Sequence, residues 1–364
     1  MAVIFMAAAK SESLATVQDS LERRFIFDKV DLSYRSGMIM PHVPAIDFMV
    51  RDHTSGMDLR LLHTSDGSKS WHQLFHHPRL GLGYYQGSLG NDQVYGRARS
   101  FYGFFEAPAL TLSSRTAIHY RMSAGLSYIS KKFDKSHNLY NIAIGSHLNL
   151  HYKVSLLASF RVMGSYQLMA GIGLNHFSNG KIRSPNKGLN LISGSLGLRY
   201  SLYKPEKKNE ASSPPDMGKK DRFSVIWSHG LKDHNRFHSA TYYVSSLSLN
   251  YEHQYARMAR YGVGLDGFYN PSLKNQLTNS STNDLANPGL YRLGAHLSHD
   301  VIVGDFALTM QVGHYLYNQV YYITDIYNRI GLKYYNIQGL ILNVSLKSHN
   351  ANAEFIEFGV GYRW

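Results

Sequence analysis

His176, Ser178 and Asn190 are the residues whose types and spacing suit chemistry. On a β-strand, residues two positions apart project to the same side, so His176 and Ser178 can approach hydrogen-bonding reach as a general base and a hydroxyl nucleophile must. Asn190 lies beyond the ten-residue stretch NGKIRSPNKG and opens the next strand-like segment, where it can hold the far imidazole nitrogen.

The elements that must position this trio are two apolar-faced strands. From 166 to 178 one face reads Tyr166, Leu168, Ala170, Ile172, Leu174, His176, Ser178 and the other Gln167, Met169, Gly171, Gly173, Asn175, Phe177. From 189 to 202 the oily face is Asn190, Ile192, Gly194, Leu196, Leu198, Tyr200, Leu202. All three polar residues therefore sit at the loop-proximal ends of faces expected to be buried or bathed in lipid. Polar groups in such places need a reason.

Composition points to an all-β protein. Aromatics make up 13% of the 364 residues, with 27 Tyr and 17 Phe, charged residues only 17%, and Gly numbers 31. Mean hydropathy is −0.28, and no apolar run approaches the roughly 18 residues a spanning helix needs. That excludes a helical membrane protein and leaves a membrane barrel open, because alternating strands average out. Without cysteine there is neither a disulfide framework nor a thiolate metal site. Lys and Arg outnumber Asp and Glu by 38 to 25, yet no nucleic-acid-binding pattern accompanies the excess, so phosphate-bearing lipid headgroups are the expected counterpart of loop cations.

Along the chain, residues 1–28 read as a signal-like lead-in, MAVIFMAAAKSES being an apolar patch that closes on small residues, or else as a frayed terminus. Strand-like segments then follow at 30–40, 57–64, 97–107 and 116–130 with no convincing helix between them. A long amphipathic segment spans Ile142 to Val162, oily at Leu148, Leu150, Tyr152, Val154 and Leu156 and wet at Asn149, His151, Lys153 and Ser155. Residues 204–221, KPEKKNEASSPPDMGKKD, have the composition of a flexible loop or boundary. Eight more strands are expected between 222 and 364, the last alternating Ile356, Phe358, Val360, Tyr362, Trp364 against Phe355, Glu357, Gly359, Gly361, Arg363.

A strand ending on a terminal aromatic resembles the closing strand of bacterial outer-membrane barrels. Counted back from a periplasmic Trp364, the segments 348–352, 319–326, 271–289, 231–238 and 179–187 all become outer loops, and the longest polar one, 271–289, falls outside as such barrels prefer. The expected fold is a single antiparallel transmembrane β-barrel over 29–364 with about 14 strands, in the range 12–16, by analogy with even-stranded outer-membrane barrels.

The stretch HFSNG (176–180), PN (185–186) and GLN (188–190) resembles the signature of the lipid A 3-O-deacylase family, outer-membrane hydrolases with a His-aromatic-Ser-Asn motif, a Pro-Asn pair, then a Gly and a triad acid. The resemblance implies ester hydrolysis at the 3-position of lipid A, with Ser178 as nucleophile, His176 as general base, and Asn179, Gly180 and Asn186 shaping the oxyanion site and its loop. It departs from the family at position 190, where the acid is Asn. An amide can accept from imidazole but cannot offset imidazolium with a full negative charge. Glu106, Glu354 and Glu357 are alternative acids if the fold brings one close. Lys181, Arg183 and Lys187 of the same loop are expected either to pair with lipid A phosphates or to be plain solvated charges.

No cofactor is implied. His76-His77 and the His147/His151 pair read as lumen or surface residues rather than metal ligands, since adjacent strand residues diverge. His349 falls in an expected outer loop with no assigned role. Beside the lipid A esterase, two readings stay open: a non-catalytic barrel, porin-like or structural, and a phospholipase with the same dyad.

Overall fold

The computed structural model describes residues 27–203, 220–233, 240–273, 290–319, 324–336, 338–350 and 352–364. Within them the chain is built of antiparallel strands that alternate side chains in and out. Eight strands, β1 (Lys29–Ile39), β2 (Thr54–Thr64), β3 (Arg79–Ser88), β4 (Arg97–Thr111), β5 (Thr116–Ile129), β6 (Leu148–Met163), β7 (Tyr166–Ser178) and β8 (Leu189–Ser201), close into one barrel. Closure runs from Lys29↔Ser201 to Ile39↔Leu191. A second barrel follows: β9 (Asp221–Asp233), β10 (Thr241–Ala256), β11 (Ala259–Tyr269), β12 (Tyr291–Val303), β13 (Phe306–Tyr317), β14 (Ile326–Tyr335), β15 (Leu340–His349) and β16 (Asn352–Arg363), with β16 returning to β9.

The barrel class is as expected, but the single ring over 29–364 is not: sixteen strands form two rings of eight. The reason lies in the inward faces. An eight-stranded barrel has room only for side chains, whereas a ring of 16 leaves a water-filled channel. Both halves of this chain point charges of both signs inward, and these pair across the interior. In the first barrel Asp31 meets Arg60, Arg121 and Arg199 at 3.1, 3.0 and 3.1 Å, and Glu106 meets Arg199 and Arg121 at 2.8 and 2.5 Å. In the second, Arg329 bridges Asp266 and Glu357, both at 2.8 Å, while Glu354 takes Arg292 at 2.6 Å and also Lys347. The lumens are filled by ion pairs rather than open.

The outward faces are apolar. Leu168, Ile172 and Leu174 of β7 are exposed, while their inward neighbours Met169, Asn175 and Phe177 are buried. The same inversion of a soluble protein runs around both rings, for instance at Leu247, Leu249, Val263 and Leu265. A surface of this kind is stable only against lipid. Among the described residues no helix is long and apolar enough to cross a membrane, so the strands do the spanning.

Three local expectations are corrected. Residues 142–147 are not strand: β6 begins at Leu148, and Ile144 turns inward into an apolar cluster with Ile39, Ile46, Phe177 and Leu189 that caps the first lumen. The local cause is Asn141, whose side-chain oxygen accepts from the Ile144 N–H at 3.0 Å and bends the chain. Two short helices occur where none was expected, α1 (Pro44–Asp47) and α2 (Ser70–Leu74). His349 is the last residue of β15 rather than a loop residue, and its Nε2 lies 2.9 Å from the Tyr315 hydroxyl at the mouth of the second lumen. The signal-like segment, up to residue 26, and the 204–221 segment, up to residue 219, lie outside the described residues.

The strand directions place the 179–188 loop and the C-terminal ends of β7, β9, β11, β13 and β15 at one end, as the count from the terminus required. At that end the barrels touch. The Asp233 N–H donates to the Lys181 carbonyl at 3.0 Å, Asp233 Oδ2 accepts from the Ser184 N–H at 2.9 Å, and Gly180 lies so close to Ile356 that a Cβ would stand 2.2 Å from its side chain.

Candidate active site

The register places Tyr152 of β6, His176 of β7 and Asn190 of β8 directly side by side, with His176↔Tyr152 and His176↔Asn190 as facing pairs. Directly opposed side chains on one face come within about 4.5–5.5 Å at Cβ, so the pairing itself delivers contact. His176 Nε2 lies 2.9 Å from Ser178 Oγ, and His176 Nδ1 lies 2.6 Å from Asn190 Oδ1. Oδ1 can only accept, so Nδ1 carries the imidazole proton and Nε2 is left as acceptor for the serine hydroxyl. That is the tautomer a general base requires.

The loop from 179 to 188 is held shut by its own asparagines. Asn179, nearly fully buried, accepts at Oδ1 from the Lys181 N–H at 3.0 Å and donates from Nδ2 to the Arg183 carbonyl at 3.0 Å and Ser146 Oγ at 2.9 Å. Asn186 Oδ1 accepts from the Asn179 N–H at 2.9 Å. The far end of the loop is tied to the β5–β6 connection, Lys187 N–H donating to the Ile142 carbonyl at 3.2 Å and Gly188 N–H to that of Ala143 at 3.1 Å. Gly180 and Gly188 have φ of +60° and +77°, a region open to glycine at little cost.

The three loop cations separate. Lys181 points toward Glu354 and Asp233 of the second barrel; burial pulls its ammonium pKa down, with Glu354 pulling the other way. Arg183 and Lys187 remain exposed, with Arg183 Nη1 3.4 Å from Thr241 Oγ1.

None of the alternative acids reaches the imidazole. Glu106 is locked inside the first lumen and Glu354 and Glu357 inside the second, each among guanidinium or ammonium groups. The group that faces His176 Nδ1 is the Asn190 amide. His151 lies in the first lumen stacked on Phe177 at 4.2 Å, and His147 Nδ1 is 2.7 Å from the Ile129 carbonyl. Among the described residues no cluster of three or more His, Cys, Asp or Glu could hold a metal.

Two residues escaped the sequence reading. His42 stands just beyond β1 with its Nδ1 3.2 Å from Asn190 Nδ2 and its Nε2 2.9 Å from the Lys187 carbonyl. Asp233 braces the loop from the other barrel. Neither has a local signal, since His42 reaches Asn190 only after β1 closes on β8, where the Met40 N–H donates to the Asn190 carbonyl at 2.8 Å.

Comparison with known families falls on the same division of the chain. A family model described as lipid A 3-O-deacylase matches residues 55–199, and one described as acyloxyacyl hydrolase, C-terminal domain, matches residues 221–364. Each barrel thus matches a family model of its own. The first match lies within the barrel that carries His176 and Ser178, and the second spans the other barrel. Among solved structures, the outer membrane enzyme PagL is 21% identical, covers 46% of this chain and 97% of its own, and superposes with a TM-score of 0.29. The Acinetobacter baumannii outer membrane protein Omp33 is 7% identical over 93% of this chain and 99% of its own at a TM-score of 0.19. No curated protein matches the chain. Closed barrels with lipid-facing walls are the architecture of the bacterial outer membrane, and both rings of this chain have that architecture.

Proposed function

We propose that the protein is an outer-membrane esterase that removes the acyl chain at the 3-position of lipid A. The match of residues 55–199 to the lipid A 3-O-deacylase family model supports the substrate class. The observation that carries the chemistry is the aligned chain Ser178 Oγ, His176, Asn190 at 2.9 and 2.6 Å on the lipid-facing wall. A lipid ester lying in the outer leaflet meets this wall without leaving the membrane, its acyl chain running down past the exposed Leu174 and Ile172.

Ser178 Oγ attacks the ester carbonyl as His176 Nε2 takes its proton. The tetrahedral oxyanion forms beside the 179–188 loop, where the Asn186 amide nitrogen, at the opposite end of the group from the oxygen that holds Asn179, is our assigned donor. His176 then protonates the sugar oxygen as it leaves, giving an acyl-serine that water hydrolyses by the reverse sequence. Asn190 holds the imidazole in place but offers only a dipole to the imidazolium, so turnover is slower than an acidic third member would allow. The exposure of Arg183 and Lys187 at the rim supports a role for them in meeting lipid A phosphates.

Incubating the purified barrel with lipid A in detergent tests this reading. Release of free fatty acid from the 3-position, lost in Ser178→Ala, is expected. Release from phospholipid alone would make the protein a phospholipase of the same architecture. Ion-filled lumens speak against a porin, and liposomes carrying the protein should swell no faster in sugar solution than empty ones.

A further inference from the structure

An asparagine in the third position raises a problem that a carboxylate does not. The two oxygens of a carboxylate are equivalent, and either accepts from His176 Nδ1. An amide has an accepting end and a donating end. If the Asn190 amide turned over, its NH2 would face Nδ1, the imidazole proton would shift to Nε2, and Ser178 would lose its base. Something must hold the amide the right way round.

We propose that His42 is that positioning residue: it fixes the orientation of the Asn190 amide and through it the tautomer of His176. This rests on the esterase reading only for the identity of the base and nucleophile. The polarity of the network follows from a single anchor. The Lys187 carbonyl can only accept, so His42 Nε2, 2.9 Å away, carries the proton. His42 Nδ1 is then a lone pair, which at 3.2 Å accepts from Asn190 Nδ2. That leaves Asn190 Oδ1 toward His176 Nδ1 at 2.6 Å, and His176 Nε2 toward Ser178 Oγ–H at 2.9 Å. Each of the links joining Ser178, His176, Asn190, His42 and the Lys187 carbonyl pairs one donor with one acceptor, and reversing any one breaks its neighbours.

The anchor is itself rigid. The carbonyl belongs to the segment whose Lys187 and Gly188 N–H groups are bonded to Ile142 and Ala143. His42 touches neither Ser178 nor His176 in this network, so it acts through Asn190 and not on substrate.

The test is the rate at which an alkyl fluorophosphonate labels Ser178 in the full-length protein, compared among wild type, His42→Ala, Asn190→Asp and the double variant, with Ser178→Ala as blank. This readout needs no lipid substrate, so it stands apart from the lipid A reading. Losing one orienting hydrogen bond should slow labelling by about five- to tenfold in His42→Ala. In the Asn190→Asp background the same substitution should change the rate by less than about twofold, because a carboxylate has no wrong orientation. His42→Gln, which keeps an acceptor, should stay nearer to wild type. Equal slowing by His42→Ala in both backgrounds, or no slowing in either, overturns the proposal. Failure of wild type to label overturns it together with the dyad. Wild-type labelling with no action on lipid A overturns the substrate and leaves the role of His42 standing.

Discussion

Gly188 lies against the His176 ring: a Cβ built on it would stand 2.6 Å from Cε1 and 3.3 Å from Nε2, the nitrogen that faces Ser178. The loop closes over the base because residue 188 has no side chain, and its φ of +77° suits glycine as well. Gly188→Ala must therefore push the imidazole off line. A displacement on the order of 1 Å costs about a hundredfold in rate, so fatty acid release should fall by about that factor. The heat-modifiable electrophoretic shift of the folded barrel should be unchanged.

Asn190→Asp should raise the turnover number by about tenfold or more, since a carboxylate both accepts from Nδ1 and offsets the imidazolium. Steady-state kinetics on lipid A would check it. A drop would mean that the new charge upsets the contact with His42 more than it helps His176.

Asp233 reaches across from the second barrel to the Ser184 N–H and the Lys181 carbonyl. Asp233→Ala loosens the loop that carries Asn186 while leaving every strand of the first barrel intact. Activity should fall by about three- to tenfold, the loss expected for one charge-assisted hydrogen bond. Wild-type activity in this variant would show that the second barrel does not brace the site.

Glu106 is fully buried and holds Arg79 at 2.7 Å, Arg199 at 2.8 Å and Arg121 at 2.5 Å. Replacing it with alanine leaves guanidinium groups short of a counter-charge inside the lumen. Breaking a buried ion pair from one side costs about 3–5 kcal/mol, so Glu106→Ala should unfold at clearly lower temperature or urea concentration. The fraction that remains folded should retain normal activity, because Glu106 sits behind the wall and not on it.

What could be read from the residues follows the range of the interactions. The alternation in 166–178 told which way His176 and Ser178 face, and their contact is local to one strand. Asn190 was within reach because β7 and β8 are neighbours joined by a single loop. His42 was not, because its contact spans 148 residues and exists only once β1 has closed on β8. The two rings were hidden for a related reason. Period-two patterning separates inside from outside but does not say where a sheet closes on itself, so a chain of even strands fits one ring or two. The charges on the inward faces, such as Arg60, Arg121 and Arg199 in one half and Arg292, Arg329 and Lys333 in the other, held the clue that each lumen is narrow. The run through 142–147 failed because oily alternation is also what a capping loop with Ile144 turned inward presents.

The most direct measurement is mass spectrometry of lipid A from a lipopolysaccharide-bearing host expressing the wild-type chain, Ser178→Ala or His176→Ala. Loss of one acyl mass from the 3-position with wild type, absent in both variants, is the predicted result. Unchanged lipid A in the wild-type strain, with the barrels folded in the outer membrane, would contradict the proposed function.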